Sequence, residues 1–89
     1  MWAIKAKPAV KKQLKKIDST QRRKIQKYLE EKVAVLDDPR TVAKALTGSF
    51  KGLHRFRVGD YRIVAQIIDK EITILVLRVS HRKNVYNQN

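Results

Sequence analysis

Polar and apolar positions alternate along one stretch of the chain with a period of two. From Leu53 to Ile68, Phe56 and Val58 fall on one face of an extended segment, and Arg55 and Arg57 on the other. Further on, Tyr61, Ile63, Ala65 and Ile67 share a face, opposite Arg62, Val64, Gln66 and Ile68. Gly59 and Asp60 sit between the two runs, so the stretch predicts a β-hairpin with a tight turn. Downstream, Asp69 and Lys70 read as a turn, and residues 72–79 form the most apolar run, a predicted central strand buried on both faces over much of its length. Upstream the period changes to that of a helix. Val10, Leu14 and Ile17 are spaced four and three apart, after a proline suited to a first helical turn. Ile25, Tyr28, Leu29 and Val33 repeat the pattern over about 20–35, with Asp18 or Ser19 as cap and Asp38-Pro39 as stop.

Residues 2–6 alternate weakly and predict a first short strand. Residues 40–46 are expected to make a helical turn, and the stretch 46–53, with two glycines, a loop. The predicted order is β-α-α-β-β-β. This is an α+β fold, a small, mainly antiparallel sheet of about four strands with a helical hairpin packed on one face. The helices should cover the face bearing Phe56, Val58, Ile63 and Ile67. That leaves Arg55, Arg57 and Arg62 on the open face, and places His54 toward the helices in a structural role. Residues 1–89 are expected to form one domain.

Charge changes the picture more than size does. Lys and Arg number 21 against eight Asp and Glu, a formal net charge of +13. Such a surface favours polyanions or acidic protein partners. There is no cysteine, and two histidines without clustered carboxylates or thiolates make no convincing metal site, so no cofactor is expected. No run is apolar and long enough for a membrane span, and Met1 to Ile4 is too short for a signal-peptide core. A cytoplasmic protein that does not engage membranes is the expectation.

Past Val79 the apolar strand turns abruptly polar. Continued alternation puts Arg78, Ser80 and Arg82 on the face opposite Val79 and His81, with Lys83 and Tyr86 following. Guanidinium groups are fixed forks that match phosphate oxygens, so Arg55, Arg57, Arg62, Arg78 and Arg82, with Lys83, are candidate phosphate contacts. Arginine is a poor proton carrier, which leaves His81 and Tyr86 as candidates for acid–base work, with neither assigned as acid or base.

The run from Gly59 to Val64 and the tail from Val79 to Tyr86, with Leu46-Thr47-Gly48 before the hairpin, resemble the RelE/ParE toxin superfamily, and its RelE branch in particular. The resemblance implies a microbial toxin that enters the A site of the small ribosomal subunit and cuts mRNA there through the RNA's own 2′-hydroxyl. It also implies a cognate RelB-type antitoxin, through which alone operator DNA would be met. The family's catalytic arginines fall on Arg62 and Arg82 and its terminal tyrosine on Tyr86, with the spacing from Arg82 two residues shorter than in the founding member. Counting back from Arg62, one of the family's paired lysines falls on Arg55 and the other on Leu53. Two alternatives stand beside this reading: a ParE-like inhibitor of gyrase, and a nucleic-acid-binding module without catalysis.

Overall fold

In a computed structural model of the chain, residues 1–83 are described. Pro8 opens helix α1 (Pro8–Lys15), and Asp18 caps helix α2 (Ser19–Lys27) by accepting a hydrogen bond from the Thr20 main-chain N–H at 3.1 Å. The two helices form the expected hairpin. It is tied by Arg22, whose guanidinium donates to the Leu14 carbonyl at the end of α1 (3.2 Å). The second helix continues in a wider π form over Tyr28–Val33. Ile25, Leu29 and Val33 stay buried through that change.

Among the described residues the sheet has five strands, β1 (Ala3–Ala6), β2 (Lys44–Ala45), β3 (His54–Val58), β4 (Tyr61–Ile68) and β5 (Thr73–His81). They lie in the order β1-β5-β4-β3-β2, antiparallel except where β1 runs parallel to β5. The fifth strand corrects the sequence expectation. The stretch foreseen as a helical turn over 40–46 is a 3-10 turn at Pro39–Val42, which gives way to β2 alongside β3. A two-residue strand carries too little periodicity to be seen in a sequence. The final strand also runs two residues past its expected end, through Ser80 and His81.

The hairpin turn needs Gly59, at φ +57°, in the first central position, as a type II′ turn requires. Ile72, in the β4–β5 turn, is left-handed too (φ 48°, ψ 51°), a costly conformation for a β-branched residue. Strand β5 contains a bulge. Val64 faces Arg78 but Ala65 faces Val76, so Leu77 has no partner of its own. This extra residue turns Val79 back onto the side of Ile74 and Val76, and sends Arg78 to the other. Burial of β5 on both faces is only partial, since Leu75 and Leu77 are half-exposed.

Helices cover one face, as expected. Val10 of α1 and Ile25, Leu29 and Val33 of the second helix pack on Phe56, Ile63, Ala65, Ile67, Ile74, Val76 and Val79. Beyond Ala6, among the described residues, the outer edge of β5 has no strand beside it. There the Val79 N–H is taken by the side chain of Gln13, reaching from α1 (2.8 Å).

Candidate functional site

Register determines which side chains meet. Cross-strand partners in an antiparallel sheet share a face. Arg57 faces Arg62, which faces Ser80; one step along, Arg55 faces Val64, which faces Arg78; and Lys44 of β2 faces Arg55. All of these residues lie opposite the helix-covered face, whose neighbouring row is Phe56, Ile63 and Val79. Three strands thus bring Arg55, Arg57, Arg62 and Arg78 onto one open face. The hairpin places Arg55 and Arg57 together with Arg62, although a count from Arg62 along the sequence had put one member of the basic pair on Leu53. Arg55, Arg62 and Arg78 are half-buried and Arg57 is exposed. Arg78 is braced by its own strand, Nε donating to the Ser80 hydroxyl at 3.1 Å.

Arg82 follows at the hairpin tip. Its main-chain N–H donates to the Asp60 carbonyl at 2.6 Å, and its Nε lies 3.8 Å from the Asp60 carboxylate, an exposed and loose pairing. Lys83 is exposed, and its main-chain N–H donates to His81 Nδ1 at 3.3 Å, which leaves Nε2 to carry the proton of the neutral ring. Tyr86 lies outside the described residues.

His81 lies across the sheet from the arginines. It pairs with Tyr61 in the row that ends at Val58, on the helix side. The two rings meet edge to face, with centroids 5.5 Å apart. His54 also lies on the helix side, opposite Ala65. Burial, and then the charge of Arg40, hold its pKa below the ordinary histidine value, so it is a neutral structural ring. Arg40 itself is engaged at the opposite end of β4, with a two-pronged bond to Asp69 (3.1 and 2.6 Å) and a third to Asp38 (3.2 Å). That bond holds the Asp69 carboxyl below its ordinary value.

Three contributors escaped the sequence reading. Lys44 extends the basic row from β2, and Asp60 sets a carboxylate beside Arg82. The third is an apolar wall on the face taken to be bare. Val64 is buried there by Leu46, Phe50 and Leu53, from the loop before β3. The available signal was an apolar residue on the arginine face and three more in a loop that would otherwise expose them.

A family model for the ParE toxin of the type II toxin-antitoxin system parDE matches residues 4–86. The chain belongs to this toxin family, within the RelE/ParE superfamily. Among relatives, Toxin RelG of Mycobacterium tuberculosis is 35% identical over 51 residues, which is 57% of this chain and 59% of RelG; the match thus spans less than two thirds of that protein. Among solved structures, the toxin–antitoxin complex RelBE2 of Mycobacterium tuberculosis has the same fold, with a TM-score of 0.82 at 23% identity over 91% of each chain. The RelB–RelE antitoxin–toxin complex of Methanococcus jannaschii matches at TM-score 0.72 and 29% identity, over 96% of this chain and 98% of that one. The five-stranded sheet with its helices is therefore the fold of RelE-type toxin chains. Among the described residues no helix is long and apolar enough to cross a membrane.

Proposed function

We propose that this chain is the toxin of a type II toxin–antitoxin pair and that it acts as a ribosome-dependent endoribonuclease in the cytoplasm, cutting mRNA in the A site of the small subunit. One observation carries the reading: three strands converge Arg55, Arg57, Arg62 and Arg78 on an open sheet face, with Arg82 at its tip. In the reaction, the 2′-oxygen of one nucleotide bonds to the adjacent phosphorus, and the bond to the 5′-oxygen breaks. The 2′-hydroxyl proton goes to a base, and an acid supplies one to the departing 5′-oxygen. The products are a 2′,3′-cyclic phosphate and a 5′-hydroxyl end. Negative charge gathers on the phosphate between these events, and fixed guanidinium groups stabilise it where it develops. Arg62 and Arg82 clamp that phosphate, while Arg55, Arg57, Arg78 and Lys83 hold the flanking backbone. Tyr86 is the proton carrier favoured here, because the ring of His81 packs on Tyr61 across the sheet from the guanidinium groups.

A RelB-type antitoxin would neutralise the toxin by covering its basic surface, with salt-sensitive binding, and would provide its only link to operator DNA. The test is single-turnover cleavage of mRNA on programmed ribosomes, with ribosome binding measured separately. Arg62→Ala is expected to slow cleavage by about 100- to 1000-fold and to change binding far less, since many cations share that task. Equal losses in binding and cleavage would make Arg62 a plain phosphate contact. A toxic protein that leaves mRNA intact would support the gyrase-inhibiting alternative, which the ParE name of the matching family favours.

A further inference from the structure

We infer that the cavity between β2 and the loop before β3 receives one nucleobase of the RNA strand, flanking the phosphate held by Arg62; the inference rests on the nuclease reading for its ligand. The cavity has a volume of about 290 Å³ and is lined by Lys44, Ala45, Leu46, Thr47, Phe50 and Arg55. Arg55 belongs both to this lining and to the arginine face, where it stands across from Val64 and Arg78. A strand bound along the arginines therefore reaches the cavity without a gap. Same-face residues on a β-strand are about 7 Å apart, close to one nucleotide step of an extended single strand, so Arg57 and Arg55 are set to hold successive phosphates.

The lining has two chemistries. Leu46 is buried against Val64, and half-buried Phe50 packs on the same cluster while also lining the cavity. Around this apolar wall stand the ammonium of Lys44, the hydroxyl of Thr47 and the guanidinium of Arg55. A bare phosphate would use the cations but lose water against Leu46 and Phe50 with nothing in return. An aliphatic side chain would meet the apolar wall alone. A nucleobase has an apolar face to lie on an aromatic ring and a polar edge to hydrogen-bond, so it uses both parts of the lining. Among the described residues β2 is also the margin of the sheet, with β3 as its one strand neighbour, so its outer main chain faces the side from which a base edge would approach. The cavity would thereby set a nucleotide preference next to the cleaved bond.

The experiment titrates the full chain, followed by amide NMR, with inorganic phosphate and with each of the four nucleoside 3′-monophosphates. Phosphate is expected to shift amides along the arginine rows alone. The nucleotides should also shift 45–50, beyond the basic row that includes Lys44, to an extent that depends on the base. Phe50→Leu, with its fold checked by the same amide spectrum, should weaken the best nucleotide about tenfold and leave phosphate unchanged. Thr47→Leu, at an exposed position of the lining, replaces a hydroxyl by apolar bulk without entering the core and should reduce every nucleotide to the affinity of phosphate. Nucleotides that shift no more than phosphate does, or that bind both variants as well as the parent, overturn the assignment. So would shifts at 45–50 produced by an acidic antitoxin peptide and by no nucleotide. The readout is independent of catalysis. Base-dependent shifts in a protein that cuts no mRNA sink the nuclease reading and keep the cavity; cleavage without such shifts does the reverse.

Discussion

Replacing Gln13 tests how β5, the strand that carries Arg78 and leads to Arg82, is held in place. Strand β1 ends at Ala6, so among the described residues the edge of β5 beyond Val76 has no strand partner, and the Gln13 side-chain oxygen accepts the Val79 N–H at 2.8 Å. Val79 is only 5% exposed, which places its amide close to the core. A buried donor left without an acceptor costs about 1–3 kcal/mol. The lower end applies here. An open recess of about 510 Å³, lined in part by Gln13, Lys16 and His81, lies against this edge and admits water to part of the lost bond. Gln13→Met keeps the length of the side chain and removes the acceptor. Its expected cost is about 1 kcal/mol, a fall of roughly 4–8 °C in Tm for a chain of this size. Gln13→Glu keeps an acceptor and should stay within about 0.5 kcal/mol of the parent. The assay is thermal unfolding followed by circular dichroism, with hydrogen exchange at Val79 read in parallel. Faster exchange at Val79 in the methionine variant alone would localise the effect. The reasoning fails if methionine is silent, or if glutamate is as damaging as methionine.

Ile72 holds a left-handed conformation while 52% exposed, so Ile72→Asn should gain about 1 kcal/mol in denaturant unfolding, and a loss would mean that its side chain makes a contact worth more than the strain. His54 has a depressed folded-state pKa, caused by burial and then by Arg40. The unfolded chain therefore takes up the proton first, and stability that is complete above about pH 6.5 declines as the pH falls toward the folded value. His54→Gln should flatten that part of the pH–stability curve, and an unchanged slope would place its origin elsewhere. In the ribosome cleavage assay, Tyr86→Phe should cost about 100-fold and His81→Gln less than about threefold; the reverse order would put the proton on His81 despite its place across the sheet.

Much of this architecture was legible because the chain alternates cleanly. Phe56, Val58, Ile63 and Ile67 could face the helices only if Arg55, Arg57 and Arg62 faced away, and the hairpin register follows that division. What stayed hidden has identifiable causes. Lys44 and Ala45 make a strand only by lying beside Arg55 and His54, with no pattern of their own. The bulge at Leu77 is invisible in a run where Leu75, Val76 and Leu77 are equally apolar, yet it decides that Val79 rather than Arg78 enters the core. The cover over Val64 depends on a loop with two left-handed glycines, Gly48 and Gly52, returning Leu53 to Leu46. For the site, the arginines could be read from alternation, whereas Asp60 reaches Arg82 only because Arg82 bonds back to the turn.

The placement of β5 has a consequence for the order of events during synthesis. Strand β1 is made first and β5 after every other described element, yet they lie side by side, Ala3 beside Thr73 and Ala6 beside Val76. A nascent chain can form α1 and α2 early, and the β3–β4 hairpin once its turn has emerged, because those contacts are local. The apolar sides of β1 and α1 must wait for β5. The same delay applies to the cationic face, since Arg55, Arg57 and Arg62 arrive with the hairpin but Arg78 and Arg82 arrive with β5. The sheet closes, and the arginine set is completed, only once β5 has been made and has found its place between β1 and β4.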